Sequence, residues 1–214
     1  MRARALGLLL PFFLALAMAG CSIDGHPRLI QPGASNMGEE SAFESAWRHA
    51  AFDVKANVPL THISGSFRLC LDRPGRVEIL NVSMEYTVNG LLVDAFAVAP
   101  AEFSQPDLPV ESTPLVDFGY DPSSVYVDRV CPADPSEISE NDLVDLGVQF
   151  SKATDSTARG ANLLVNYRSE GKTYTLRSEF ELILCEGNAR EPEWSSQCEF
   201  WYDIEQYKAL ANAN

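Results

Sequence analysis

Val82-Ser83-Met84-Glu85-Tyr86-Thr87-Val88-Asn89-Gly90-Leu91-Leu92-Val93-Asp94-Ala95-Phe96-Ala97 decides the fold. Apolar side chains fall on every second residue on both sides of Asn89-Gly90, the period of a strand with one buried face. Asn-Gly is the favoured pair for a two-residue hairpin turn, because both positions need positive φ. The stretch therefore predicts two antiparallel strands with Val88 opposite Leu91, Tyr86 opposite Val93 and Met84 opposite Ala95.

Further along, Leu163, Val165 and Tyr167 alternate into Glu170-Gly171, and Tyr174, Leu176, Phe180, Leu182 and Leu184 alternate out. A two-residue turn there pairs Tyr167 with Tyr174 and Val165 with Leu176. Ser66–Leu71, Val125–Val130 and Leu146–Phe150 are further strand candidates. Asp72-Arg73-Pro74-Gly75 is a turn. Without helical crossovers, six to seven such strands predict a mainly β protein, an antiparallel Ig-like β-sandwich. The five prolines between Pro100 and Pro122 predict a long loop.

The flanks read differently. Phe43, Ala46, Trp47, Ala50, Ala51 and Val54 recur at helical spacing, with Glu39 and Glu40 at the favourable N-terminal end, so a short amphipathic helix is expected over 39–57. Glu39, Glu40, Glu44 and Asp53 make it too acidic to rest on a membrane. Beyond Gly187 the chain is aromatic. Phe200, Trp201, Ile204, Tyr207 and Leu210 share one face if 199–211 is helical, which predicts a closing helix that caps the sandwich, binds a partner or covers a ligand.

The first residues carry an address. Arg2 and Arg4 precede an apolar run from Ala5 to Ala19, too short for a comfortable membrane span, and small residues lead into cysteine as Met18-Ala19-Gly20-Cys21. That tetrapeptide resembles the lipobox of bacterial lipoproteins, with Met18 where leucine is commonest. The resemblance implies cleavage before Cys21 and diacylation of its thiol; plain secretion or a retained anchor helix are the alternatives. Ser22, in a two-membrane host, favours the outer membrane. Cys70-Leu71-Asp72-Arg73-Pro74-Gly75 and Leu182-Ile183-Leu184-Cys185 also resemble small Cys-containing β-sandwich lipoproteins of high-GC bacteria. The expected plan is a signal peptide 1–20, a lipidated tether 21–38, the helix 39–57, the sandwich 58–187 and an aromatic tail 188–214.

Setting Cys21 aside, Cys70, Cys131, Cys185 and Cys198 form an even set without a C-x-x-C or a neighbouring histidine, so two disulfides in an oxidising compartment are expected rather than a metal site. Four cysteines allow three pairings; Cys185 with Cys198 and Cys70 with Cys131 is the expected one.

Thirty acidic residues face 16 basic ones, a net charge of −14 that becomes −16 when Arg2 and Arg4 leave with the leader. Such a surface repels nucleic-acid phosphates and anionic lipid headgroups alike, which excludes nucleic acid as a partner. No Walker loop, Rossmann fingerprint, H-E-x-x-H or G-x-S-x-G occurs, and Ser64-Gly65-Ser66 lacks the glycines of a nucleophile elbow. His26, His49 and His62 read as ordinary surface or boundary residues. Asp134, Glu137, Glu140, Asp142 and Asp145 lack EF-hand spacing and read as a solvated loop. Asn81-Val82-Ser83 matches a glycosylation sequon inside a predicted strand.

No catalytic residue, cofactor or metal is therefore expected. The functional expectation is a lipid-anchored, extracytoplasmic, non-catalytic module for interaction or envelope assembly. A carrier of a lipid or other apolar ligand, held between sheet and C-terminal helix, is the first alternative, and an envelope hydrolase the second.

Overall fold

A computed structural model describes residues 25–32, 48–62, 67–101, 110–111, 113–186, 198 and 204–211. Among them are eleven strands: β1 (Leu29–Ile30), β2 (Arg48–Val54), β3 (Leu60–His62), β4 (Arg68–Leu71), β5 (Val77–Val88), β6 (Leu91–Pro100), β7 (Val110–Glu111), β8 (Tyr126–Val127), β9 (Val144–Lys152), β10 (Ala158–Ser169) and β11 (Lys172–Glu186). One helix follows, α1 (Ile204–Ala211). The strands form two sheets, one in the order β1-β4-β9-β3-β7 with β6 on the other side of β9, the second in the order β2-β11-β10-β5-β8. The protein is a two-sheet β-sandwich with a small C-terminal helix. The count exceeds six to seven because β1, β3, β7 and β8 are only two or three residues long.

The hairpin of β10 and β11 has the expected register, with Val165 opposite Leu176 and Tyr167 opposite Tyr174. Glu170 and Gly171 take positive φ at its tip, and the Tyr167 and Tyr174 rings stack with centroids 5.6 Å apart. Leu163, Val165, Phe180, Leu182 and Leu184 point into the space between the sheets and meet Leu60, Leu69, Leu146 and Phe150 of the opposite sheet. Phe67, just before β4, meets Phe180 edge to face at 4.8 Å, a favourable geometry for two aromatic quadrupoles and a direct link across the interior.

The Asn89-Gly90 stretch is corrected. β5 pairs with β10 and β8, whereas β6 pairs with β9, so the two strands belong to opposite sheets. Asn89 and Gly90 do take positive φ, 56° and 70°, but the turn arches from one sheet to the other. The β9–β10 connection arches beside it: Ala153 N donates to Gly90 O, and Asn89 Nδ2 donates to the Thr157 carbonyl at 2.8 Å. Alternating apolar strands bury their faces equally well side by side or face to face; the neighbouring arch selects the second arrangement.

The expected helix over 39–57 is also corrected where it is described. Residues Arg48–Val54 are a strand running parallel to β11, the one parallel pair of ladder strands among the described residues. Ala50, Phe52 and Val54 face the core, while Ala51 packs on Ile183, Cys185 and Cys198 on the opposite side. A strand with apolar residues on both faces reads as a near-continuous apolar run, which a helical template fits as well. Residues 39–47 lie outside the described residues.

Two boundaries shift. Residues 25–32 belong to the expected tether, yet they dock on the body, where β1 pairs with β4 and Leu29 is buried. Within the proline-rich stretch, residues 115–118 form a 3-10 turn that leads to Tyr120 and lies across the outer face of the six-stranded sheet. It fits because Ala97, Ala99 and Gly147 leave room: a Cβ on Gly147 would stand 2.7 Å from Leu115 and 2.8 Å from Tyr120. Of Val125–Val130 only Tyr126–Val127 is strand.

Candidate functional site

The C-terminal segment has its seat on the outer face of the five-stranded sheet. There β10 carries a bulge between Ala161 and Leu163, where Asn162 takes φ 56°. The bulge re-aims the chain, so that Ala161 and Val88 offer a small apolar platform to Tyr207, with Tyr86 and Ile204 at its sides. Tyr207 is 0% exposed, and its hydroxyl donates to Glu181 Oε1 at 2.5 Å. Glu181 and Arg159 are buried as well, with Arg159 Nη1 3.8 Å from the same oxygen. Burial, then the hydrogen bond and charge of Glu181, push the Tyr207 phenol far above its ordinary range, so it keeps its proton as a donor.

Next to this seat, Glu85 accepts from Asn162 Nδ2 at 2.8 Å and from Arg177 Nε at 2.7 Å. Burial raises the Glu85 carboxyl, but the bonds from Arg177 and Asn162 and the arginine charge outweigh it and hold the group below its usual value. The arrangement is a set of charge-assisted bonds that fasten α1, β5, β10 and β11 to one another. Glu181, held by Tyr207 and beside Arg159, clamps α1 to β11.

The second fastening is covalent. Cys185 at the end of β11 is bonded to Cys198, and Cys70 of β4 to Cys131. These are the expected pairings, and they fit a domain matured in an oxidising, extracytoplasmic compartment. Asp53 lies near enough to Cys185 and Cys198 to suggest metal ligands, but both sulfurs are spent in the bridge and no thiolate remains. Behind the bridge the fully buried Lys152 donates from Nζ to the carbonyls of Cys185 at 2.6 Å, Asp155 at 3.0 Å and Leu184 at 3.5 Å. Burial lowers its pKa from 10.5, against the opposing charges of Asp155, Glu186 and Asp53.

A third polar cluster lies on the outer face of the other sheet. Asp145 is buried, with Arg68 Nε 3.4 Å from its Oδ1, and Arg68 Nη2 stands 3.7 Å from Glu140. The Tyr120 hydroxyl is buried beside it, raised far above its usual pKa by burial and by the Asp145 charge. The acidic run is thus not one solvated loop. Asp134 and Asp142 accept from the backbone and hydroxyls of Ser136 and Ser139, shaping two short turns, whereas Asp145 is interior.

Of the residues singled out in the sequence, Cys70, Cys131, Cys185, Cys198, Ile204 and Tyr207 are placed, and the last two share the seat. Leu210 lies on α1. Cys21, Phe200 and Trp201 lie outside the described residues. Of the expected helix 199–211, Ile204–Ala211 is α1, whose Tyr207 packs on Val88 and Ala161, while 199–203 lie outside the described residues. His49 is in β2 opposite Glu181, His62 in β3 opposite Val148, and His26 Nδ1 is 2.5 Å from Glu170 Oε2. Arg159, Glu181 and Lys152 do not stand out in the sequence, and Asp145 reads there as part of a solvated loop. The available signal was a charged residue flanked by apolar ones inside a strand, as in Phe180-Glu181-Leu182 and Val144-Asp145-Leu146.

No family model and no curated protein matches this chain. Among the described residues no helix is long and apolar enough to cross a membrane.

Proposed function

We propose that the protein is a lipid-anchored envelope module that acts by non-catalytic interaction, held to a bacterial membrane through Cys21. One observation favours this over an apolar-ligand carrier. Tyr207 itself occupies the space between α1 and the sheet, fully buried on Ala161 and Val88 and hydrogen-bonded to Glu181. A carrier needs that space for its cargo, and evicting Tyr207 would remove a hydrogen bond from a buried carboxylate at a cost of about 1–3 kcal/mol. The Phe67–Phe180 contact likewise fills the interior between the sheets.

Lipid attachment is supported by Met18-Ala19-Gly20-Cys21 at the end of the apolar leader and by the two bridges of an exported domain. Two or three acyl chains, at about 0.8 kcal/mol per buried CH₂, hold a protein stably on a bilayer. Native mass spectrometry of the full chain, released from membranes in mild detergent, tests both parts. The expected mass is the mature chain from Cys21 plus its acyl groups, with no further adduct. A stoichiometric apolar adduct overturns the module in favour of the carrier, and an unacylated mass overturns the anchor.

A further inference from the structure

The N-terminal segment does not leave the body where the sandwich begins; it is fastened along one tip. Arg28 N donates to Asp72 Oδ1 at 2.7 Å, and Asp72 N donates back to the Arg28 carbonyl at 3.0 Å. Leu29 N donates to the Tyr167 hydroxyl at 3.3 Å, and His26 meets Glu170. Pro27 is buried over Gly75, where any Cβ would collide with its ring. Burial raises the Asp72 carboxyl, but the bonds from Arg73 and the Arg28 backbone, with both arginine charges, outweigh it and hold the group ionised. The tip is therefore formed by residues 25–28, the β4–β5 turn and the β10–β11 turn.

We propose that this tip lies against the phospholipid headgroups of the membrane that holds Cys21, with the two arches at the far end pointing away. The inference rests on the lipid anchor proposed above. Five residue steps separate Cys21 from His26, which meets Glu170, and fully extended they span at most about 18 Å. β10 runs from the tip to the arches over 12 residues, about 40 Å at strand rise. The reach of the anchor is thus much shorter than the body, and only the tip comes within it.

The chemistry of the tip suits that neighbour better than the chain's net charge does. Arg28, Arg76 and Lys172 are exposed there, and the Arg76 guanidinium stacks 3.7 Å over the exposed ring of Tyr126, an aromatic–cation pair of the kind that settles at headgroup level. The carboxylates among them are held: Asp72 by Arg73, Glu78 by Arg168, Glu170 by His26. Asp128 and Arg129 follow β8 as a neighbouring opposite pair, and the exposed acidic turns from Asp134 to Asp142 lead into β9, where Val144 stands opposite Leu69 of β4.

Energy transfer tests the orientation. The full acylated chain is reconstituted in phosphatidylethanolamine–phosphatidylglycerol vesicles that carry a headgroup acceptor, with a donor dye on Thr173→Cys near the tip or Ser156→Cys in the β9–β10 arch. Transfer from position 173 is expected to exceed that from 156 several-fold, and Asp72→Ala, which unfastens Arg28, should narrow the difference. Equal transfer from both positions overturns the apposition. Reversing Arg28, Arg76 and Lys172 to Glu should lower transfer at 173; unchanged transfer overturns the headgroup contact. Intact mass of the same samples separates this from failure of the anchor, because a chain without acyl groups overturns the anchor itself.

Discussion

Tyr207 and Glu181, 26 residues apart, are joined by a 2.5 Å hydrogen bond in a site closed to solvent. The bond ties an eight-residue helix, too short to be stable alone, to the middle of a 15-residue strand. Removing the whole ring in Tyr207→Ala should cost about 3–5 kcal/mol, the range for emptying a large buried aromatic site. Tyr207→Phe keeps the packing and removes one charge-assisted donor from a buried carboxylate, at about 1–3 kcal/mol. Urea unfolding at constant slope measures both. Wild-type midpoints in both variants contradict a seated helix.

The two bridges should not be equal. Cys70–Cys131 spans a sequence separation of 61 and Cys185–Cys198 one of 13. Loop-closure entropy then assigns about 4 kcal/mol to the first and about 3 kcal/mol to the second. Paired Cys→Ser variants, unfolded in urea, should rank in that order. The reverse ranking shows that the Cys185–Cys198 bridge acts chiefly through the native contacts of the tail.

Gly90 and Gly171 offer a matched pair of turns. Both take positive φ, 70° and 82°. A Cβ on Gly171 meets nothing within 4 Å, whereas on Gly90 it stands 3.3 Å from the Ala153 side chain of the neighbouring arch. Gly171→Ala should thus cost only the backbone term, about 1–2 kcal/mol. Gly90→Ala should cost more, because the stacked arches must also move apart. Thermal melts of the two variants make the comparison; equal losses refute the stacking of the arches.

How far the sequence is legible follows from what each signal can distinguish. The β10–β11 register was legible because Tyr167 and Val165 find their partners Tyr174 and Leu176 across a two-residue turn, all within one short segment. Val82–Val88 and Leu91–Ala97 carry the same alternation, but their partners lie in β10 and β9, more than 45 residues away, and no local pattern reports that. Ala50, Ala51 and Val54 misled because periodicity alone does not separate a strand with apolar residues on both faces from a helix. The seat of α1 was half legible. Ile204 and Tyr207 announced an apolar stripe, but Glu181 and Arg159 look like surface residues until a bulge and a helix cover them.

The final prediction concerns Lys152, whose ammonium is fully buried against the carbonyls of Cys185, Asp155 and Leu184. Burial lowers its pKa from 10.5, while the facing carboxylates Asp155, Glu186 and Asp53 resist without cancelling the effect. Folded protein therefore releases this proton at a lower pH than unfolded protein does. Below the folded value both states are protonated and Lys152 contributes no slope. Between that value and 10.5 the unfolded state binds more protons, so stability rises with pH; above 10.5 the contribution levels off. Raised phenols, among them Tyr167 and Tyr207, act in the opposite sense at alkaline pH, but they are common to wild type and Lys152→Met and cancel in the difference. The stability of wild type minus that of Lys152→Met, from urea titrations across the alkaline range, should accordingly climb as pH approaches 10.5. A flat or falling difference means that the amine keeps an ordinary or raised affinity for its proton, and that the three carbonyls hold it as tightly as water does or more tightly.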